Sequence, residues 1–450
     1  MSAPFVAHTD AEIAEMLGFL GLDDLDGLFA EIPAALRLAD GLDLPPAMSE
    51  PDVAWRLDDL ASRNRPCGRD LVCFAGAGSY DHEIPAVVKA IASRSEFVTA
   101  YTPYQPEVSQ GVLQAIFEYQ TMIARLSGLD VANASLYDGS ASLVEAVNLA
   151  VVATGHKRVL CSQGVHPHWR QQLETFSRGS CNEIDTVPLS GGVTSWDAVV
   201  DEGPFGAIVV AAPNFLGCLE DIASARAVAD RFGARLVVCF DPVSAGLLRS
   251  PGSLGADVVV GEGQPFGTAM GFGGPYLGLF ACRLADVRRI PGRIVGETLD
   301  RDGRHAYVMT LRAREQDIRR ERASSNVCTN ETLMAITAAI HLSWLGSEGL
   351  REVALRSARA TRYTREAICK IEGVEPLTTA PVLREFVVKT PVAPEILVER
   401  LVESGFLAGV PVRAGFDGTA YDGGLLIAAT EKRTRSEIDE FAAAFEKAVR

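Results

Sequence analysis

Lysine is scarce in this chain. Only Lys89, Lys157, Lys370, Lys389, Lys432 and Lys447 occur, so no amine that could form a Schiff base lies between Lys157 and Lys370. Positive charge is short as well. Forty-two Lys and Arg against 58 Asp and Glu leave a net charge of −16 over 450 residues, which repels a phosphate backbone and argues against nucleic acid as a partner. The nine cysteines (Cys67, Cys73, Cys161, Cys181, Cys218, Cys239, Cys282, Cys328, Cys369) include no C-x-x-C pair, and several sit in apolar runs such as LVVCF, the pattern of reduced, core-filling cysteine in a cytosolic protein. His166 and His168 in VHPHW lack ligating partners at helical spacing, so no metal site is expected. No stretch reaches the ~18 uninterrupted apolar residues of a membrane span. The start, MSAPFVAHTDAEIAEML, has neither a basic nor an apolar leader region, and a cytoplasmic protein without a membrane partner is expected.

What is present is core-forming material. The chain is 48% hydrophobic and 22% charged, and its length suggests two or three domains. Thr9 and Asp10 can cap a helix over 11–17, a second short helix covers 22–29, and the turn-rich GLDLPPAMSEPD follows, so residues 1–65 read as a helical extension. In SQGVLQAIFEYQTMIARL the apolar residues recur mostly every three or four positions, and Gly128 stops the pattern: an amphipathic helix. Beyond it, a helix at 140–153 and another at 222–232 alternate with the runs RVLCS, AIVVAAP, RLVVCFD, DVVVGEG and YLGLFAC. Strands this apolar are buried on both faces, which predicts a doubly wound α/β domain with a mostly parallel sheet over 66–327. After Cys328, two helices, the strands EFVVKT and LLIAAT and a closing helix from Arg435 predict a smaller α+β domain over 328–450.

Several segments have chemical potential. Asp241 ends the strand RLVVCF, where ligands of open α/β sheets bind, and it either faces a ligand or caps the Pro-Val-Ser turn that follows. A pyridoxal-phosphate enzyme of this architecture would place a ring-nitrogen acid at such a strand end and its lysine shortly afterward, yet residues 261–267 read GEGQPFG. YTPYQPEVSQG (101–111) crowds two tyrosines, Gln105, Glu107, Ser109 and Gln110 into a proline-stiffened stretch. It serves either as the polar wall of a ligand site or as packed tyrosines with Ser109 capping the next helix. Of the glycine-rich segments AGAGSY, DGSAS and GFGGP, DGSAS opens a helix whose N-terminal amides attract anions, and the other two read as turns. His166 follows a strand, where its ring could stack on a cofactor. Residues 283–322 hold eleven arginines against seven acids, read as a solvated helix face with internal ion pairs that can also receive an acidic partner.

Four stretches carry a family resemblance: FAGAGSYDHEIPAVV from 74, YTPYQPEVSQGVLQAIFEYQTMIARLSGLDVANASLYDGSASL from 101, GEGQPFGTAMGFGGPYLGLFA from 261 and PGRIVGETLDRDGRHAYVMTLRAREQDIRRERASSNVCTNETL from 291. Together they resemble the P-protein of the glycine cleavage system, the pyridoxal-phosphate-dependent glycine dehydrogenase (decarboxylating). An undivided P-protein is about twice this length. The resemblance is to its N-terminal half, which in many bacteria is a separate alpha chain lacking the cofactor lysine.

The resemblance implies the type I aminotransferase fold and an alpha-two beta-two heterotetramer in which the beta subunit holds pyridoxal 5′-phosphate covalently. It implies decarboxylation of glycine through the partner's pyridoxal-phosphate aldimine and transfer of the aminomethyl group to the lipoyl arm of H-protein. It further implies that Tyr101, Thr102, Tyr104 and Gln105 form this chain's wall of the shared site, backed by Glu107 and Ser109, with Ser324, Ser325 and Asn326 as further candidates. Gly139, Ser140, His166 and Asp241 stand where a cofactor-binding subunit would hold ring and phosphate, and without a lysine they line a vestigial pocket. Two rival readings are a stand-alone type I transferase and a scaffold or regulatory pseudoenzyme subunit.

Overall fold

The computed structural model describes residues 7–38, 41–99, 103–200, 203–271 and 273–450. They fall into two compact units, Met1–Asn64 and Arg65–Arg450.

In the first unit, Thr9 and Glu12 form a reciprocal capping box at the start of helix Asp10–Leu20, which Gly21 ends in a left-handed conformation (φ 67°). The helix runs three residues past the expected Leu17. The expected helix at 22–29 is a shorter 3-10 turn, Leu25–Phe29, capped by Asp24, and a second helix spans Glu50–Ser62. No described residue of this unit is buried; Phe19 is 89% exposed and Trp55 74%.

The second unit is built on a seven-stranded sheet. From edge to edge its strands are Val131–Ala132, Gly278–Cys282, Val258–Glu262, Arg235–Phe240, Ala207–Ala212, Arg158–Ser162 and Glu183–Val187. The last five are parallel, and Gly278–Cys282 runs antiparallel to both its neighbours. The strands are uniformly apolar because both faces are covered. Ile208, Val210, Leu236 and Val238 pack on one side with the helices Gln110–Ser127, Ile222–Phe232 and the start of Thr332–Ile368, whereas Val209, Val237 and Cys239 pack on the other with helix Gly139–Thr154. The parallel strands therefore deliver Asp241, Glu262 and the Pro213–Asn214 turn to the same edge of the sheet.

The helical stretch Thr332–Ile368 is interrupted at Gly346 (φ 60°, ψ −174°) and leads to a four-stranded antiparallel sheet ordered Glu375–Pro376, Glu385–Lys389, Leu425–Ala428, Val410–Pro411. Helices Pro394–Glu403 and Arg435–Val449 cover it. Val72–Cys73 pairs with Phe406–Leu407, and Phe74 stacks on Phe441 at 3.9 Å, so the chain enters this unit on its C-terminal side. Among the described residues no helix is long and apolar enough to cross a membrane.

Two expectations are corrected. Residues 283–322 are not a solvated helix face: they fold around an antiparallel hairpin, Ile294–Leu299 with His305–Thr310, and Arg293 is buried. The Asp300–Gly303 turn, with Asp300 accepting from the Asp302 and Arg304 amides, reverses the chain there. The cysteines are only partly core-filling. Cys73, Cys161, Cys218, Cys239 and Cys282 are buried, but Cys181 and Cys328 are exposed.

Candidate functional site

At the carboxyl edge of the large sheet lies a pocket lined by Tyr80, His166, Trp169, Asp241, Glu262, Arg384 and Glu385, among others. Asp241 caps the turn, its Oδ1 accepting from the Val243 amide at 3.0 Å, and it also lines the pocket, its Oδ2 paired with Arg384 at 3.1 Å. Arg384 stands at the entry of strand Glu385–Lys389. Its guanidinium lies 3.3 Å from the centroid of the Tyr80 ring and donates to Nε2 of buried His82 at 2.9 Å, while His82 Nδ1 meets Glu431 at 2.7 Å. The neighbouring Glu385 accepts from the Tyr80 hydroxyl (2.6 Å) and the Ala77 amide (3.0 Å), and burial raises its pKa. Gly217 (φ +80°) makes this approach possible, since a Cβ there would stand 1.8 Å from the Glu385 carbonyl oxygen.

Glu262 occupies the other side. Its carboxylate accepts from the amides of Gly139 (2.9 Å), Gln264 (3.0 Å) and Leu277 (3.0 Å), and burial pushes its pKa up to about 7 against those three donors. The anion expected at the DGSAS helix start is thus the chain's own. Asp138 caps the same helix through the Ala141 amide (2.7 Å), and the Ser140 hydroxyl lies within hydrogen-bond reach of both Asp138 and Gln172. The Trp169 indole lies so close over Gly139 that a Cβ would come within 2.3 Å of its ring. His166 is neutral by its bonding, with Nε2 donating to the Ala77 carbonyl and Nδ1 accepting from the His168 amide, and burial lowers its pKa to about 4.

These residues do not fit pyridoxal phosphate. Asp241, the candidate partner of a ring nitrogen, is committed to Arg384; the Gly139 amide that would meet a phosphate is committed to Glu262; and no lysine lines the pocket. The acid and the amide that would hold a cofactor are engaged internally, and of the Arg384 guanidinium Nε alone lacks a partner.

A second group of side chains forms an outer wall. Tyr101 and Thr102 lie outside the described residues. Tyr104 is 47% exposed, with the guanidinium carbons of Arg293 and Arg312 at 4.7 and 5.2 Å from its ring centroid and its hydroxyl accepting from Arg293. Gln105 and Glu107 are exposed beside it. Ser109 takes the N-cap position of helix Gln110–Ser127 without its hydroxyl capping it. Gln110 instead anchors the segment, exchanging two hydrogen bonds with the Tyr307 backbone (2.8 and 2.9 Å) and donating to the Pro106 carbonyl at 2.6 Å. Arg293 also donates to the Cys328 carbonyl at 2.8 Å, which brings the 324–328 stretch alongside Tyr104. Ser324 and Asn326 are exposed, and the Ser325 hydroxyl accepts from the Val327 amide at 3.2 Å. Ser325 also hydrogen-bonds Glu145, but burial outweighs that bond and pushes the Glu145 pKa up to about 7.

The glycine cleavage system P-protein family profile matches residues 3–445. The chain belongs to that family. It is 48% identical over 442 residues to a probable glycine dehydrogenase (decarboxylating) subunit 1 of Chlorobaculum tepidum, covering 97% of this chain and 98% of the relative, and 44% identical, at 98% of each, to the protein of the same description in Desulforamulus reducens. A crystal structure of glycine decarboxylase (P-protein) of the glycine cleavage system, in inhibitor-bound form, superposes with a TM-score of 0.90 at 44% identity, covering 99% of this chain and 100% of that one. More distant are a sphingosine-1-phosphate lyase of Burkholderia pseudomallei (TM-score 0.65, 15% identity, 93% of this chain and 94% of that one) and an alanine–glyoxylate aminotransferase of Nostoc (0.60, 14%, 87% and 99%). These last two speak for the fold alone, which is the type I fold of pyridoxal-phosphate-dependent enzymes. Family membership thus agrees with the resemblance, in fold and in length.

Sequence reasoning missed Arg384, Glu385, Tyr80, Glu262, Trp169 and Arg293. The charged pair opening REFVVKT, directly before an apolar strand, was the available signal for the first two.

Proposed function

We propose that this chain is the alpha subunit of a two-chain glycine cleavage P-protein, presenting one wall of an active site whose cofactor a beta subunit carries. It is a subunit of a decarboxylating glycine dehydrogenase, as its full-length relatives are described. Pyridoxal phosphate, bound by the partner, supplies the electron sink into which glycine's carboxylate carbon releases its bonding electrons. This chain's share is positioning and exclusion of water, and it falls to Tyr101, Thr102, Tyr104 and Gln105, backed by Glu107 and Ser109, with Ser324, Ser325 and Asn326 beside them. Gly139, Ser140, His166 and Asp241 belong to a pocket that holds no cofactor. The lipoyl arm of H-protein receives the aminomethyl group, in the cytoplasm, from an alpha-two beta-two assembly.

One observation carries the reading: Asp241 and Glu262 in the interior pocket are engaged by this chain's own groups, whereas Tyr104 stands half exposed over a buried arginine, Arg293. A glycine–carbon dioxide exchange assay with lipoylated H-protein tests it, using this chain alone, the lysine-bearing partner alone and the mixture. Activity is expected only in the mixture. Activity from this chain alone, or a borohydride-reducible cofactor adduct on it, would refute the assignment; full activity from the partner alone would make this chain a scaffold.

A further inference from the structure

Beside Tyr104, several buried polar atoms have no hydrogen-bond partner: Nε and Nη1 of Arg293, Nε of Arg312, Nε and Nη2 of Arg314, and Oε1 of Glu315. Arg293 is 4% exposed. Its Nη2 is engaged by Tyr104 and the Cys328 carbonyl, and Nη1 of Arg314 donates to the Ile290 carbonyl at 2.5 Å, so both guanidinium groups are held in place with their remaining N–H groups unused. The groups are neighbours: Arg293 and Arg312 flank one ring, and Glu315 feels the charges of Arg314, Arg293 and Arg312. Among the described residues Glu315 nevertheless ion-pairs with none of them, and the acid within pairing distance is exposed Asp317, 3.3 Å from Arg312. The buried N–H groups of Arg293 and Arg314 have no hydrogen-bond acceptor, and donors withdrawn from water are costly unless an acceptor arrives from outside. Arg314 keeps Nε and Nη2 free, the side-on fork that gives an oxyanion two parallel N–H bonds, and Arg293 adds single donors from Nε and Nη1.

We infer that Arg293, Arg312 and Arg314, with Tyr104, form a receptor for one oxyanion, a carboxylate or a phosphate, brought by whatever docks on this wall. Glu315 is the internal competitor for that place. That the anion belongs to the shared site, as substrate carboxylate or cofactor phosphate, rests on the function proposed above; that an oxyanion binds does not.

The test uses the full 450-residue chain. Inorganic phosphate and, separately, acetate are titrated with chloride keeping ionic strength constant, and the unfolding temperature is read, since a ligand of the folded state raises it with concentration. At least one of the two should raise it saturably. R293K, which keeps the charge and loses the guanidinium donors, and R314M should weaken half-saturation at least tenfold; E315Q should strengthen it several-fold; R283M, whose arginine pairs with Asp257 elsewhere, should leave it unchanged. Saturation by phosphate alone points to a cofactor phosphate, and by acetate alone to a substrate carboxylate. Crystals of the wild-type chain soaked in selenate should show an anomalous peak between Arg293 and Arg314, which keeps the question open to decision if a variant fails to fold. Variants that follow the wild type, or a soaked crystal without that peak, would overturn the inference. Because binding is read on this chain alone and exchange on the mixture, the two proposals fail separately.

Discussion

The interior pocket and the outer wall use the same side chains, arginine, tyrosine and carboxylate, and treat them in opposite ways. In the pocket, Arg384 pairs with Asp241, donates to His82 and lies on Tyr80, leaving only Nε unmatched, and Glu385 and Glu262 each collect donors. On the wall, Arg293 and Arg314 keep buried donors unmatched and Tyr104 stands half exposed. A type I fold that carries its own cofactor leaves its pocket polar groups waiting for a ligand. Here unmatched donors lie beneath the half-exposed Tyr104, and that difference is what the proposed division of labour between the two chains rests on.

The largest effect should come from cutting the interior network. Arg384→Met leaves Asp241 buried opposite nothing and should cost about 3–5 kcal/mol in urea unfolding of the isolated chain. Arg293→Met replaces a guanidinium that is only partly satisfied and should change stability by less than about 1 kcal/mol. Equal losses at both positions would erase the contrast.

Much of this organisation was legible in the sequence, and the rest was not for identifiable reasons. Doubly covered strands announce themselves as continuous apolar runs, so RVLCS, AIVVAA, RLVVCF and DVVVGE were readable, as was the absence of lysine where the fold would place one. The edge strand Glu183–Val187, partly exposed and mixed in composition, had no such signature. The charged pair Arg384–Glu385 before an apolar strand marked a place of interest but not its partners, which are far along the chain: Tyr80 and Glu385 are 305 residues apart. The arginine-rich segment misled because charge density says nothing about period, and its helix reading overlooked Asp300, Asp302 and Gly303, a turn signal between two strand-like runs. Ser109 shows the same limit on a smaller scale: a good capping residue in the right place, whose hydroxyl the local geometry leaves unused.

The second prediction concerns pH and the pocket. His166 is held neutral in the fold, its pKa lowered to about 4, whereas the unfolded chain takes up that proton near 6.5. The unfolded state therefore binds more protons between those values, and stability falls as pH drops through the window, by about 2 kcal/mol from this residue between pH 7 and pH 5. Glu262 works against it. With its pKa raised to about 7, it favours the fold at low pH and loses that contribution as pH rises from 4.5 to 7. His166→Gln should accordingly lose less stability between pH 7 and pH 5 than the wild type, and Glu262→Gln should lose more. Urea midpoints at the two pH values decide it, and parallel shifts in all three proteins would place the titration elsewhere.

The smallest expected change in stability gives the sharpest test of the comparison, because one substitution can be made in both regions. Tyr80→Phe removes a buried hydroxyl that donates to Glu385 at 2.6 Å, and a hydrogen bond to a buried carboxylate is worth about 1.5–3 kcal/mol. Tyr104→Phe removes a half-exposed hydroxyl whose donor, Arg293, keeps its bond to the Cys328 carbonyl, so the isolated chain should lose less than about 1 kcal/mol. In the assembled enzyme the ranking should invert. If the wall takes part in the reaction, Tyr104→Phe lowers kcat for glycine–carbon dioxide exchange while Tyr80→Phe, once folded and assembled, leaves it near the wild-type value. A Tyr104→Phe complex with unaltered kcat and KM would mean that the surface tyrosine only covers its arginines, and that the groups left unmatched on the wall serve assembly rather than chemistry.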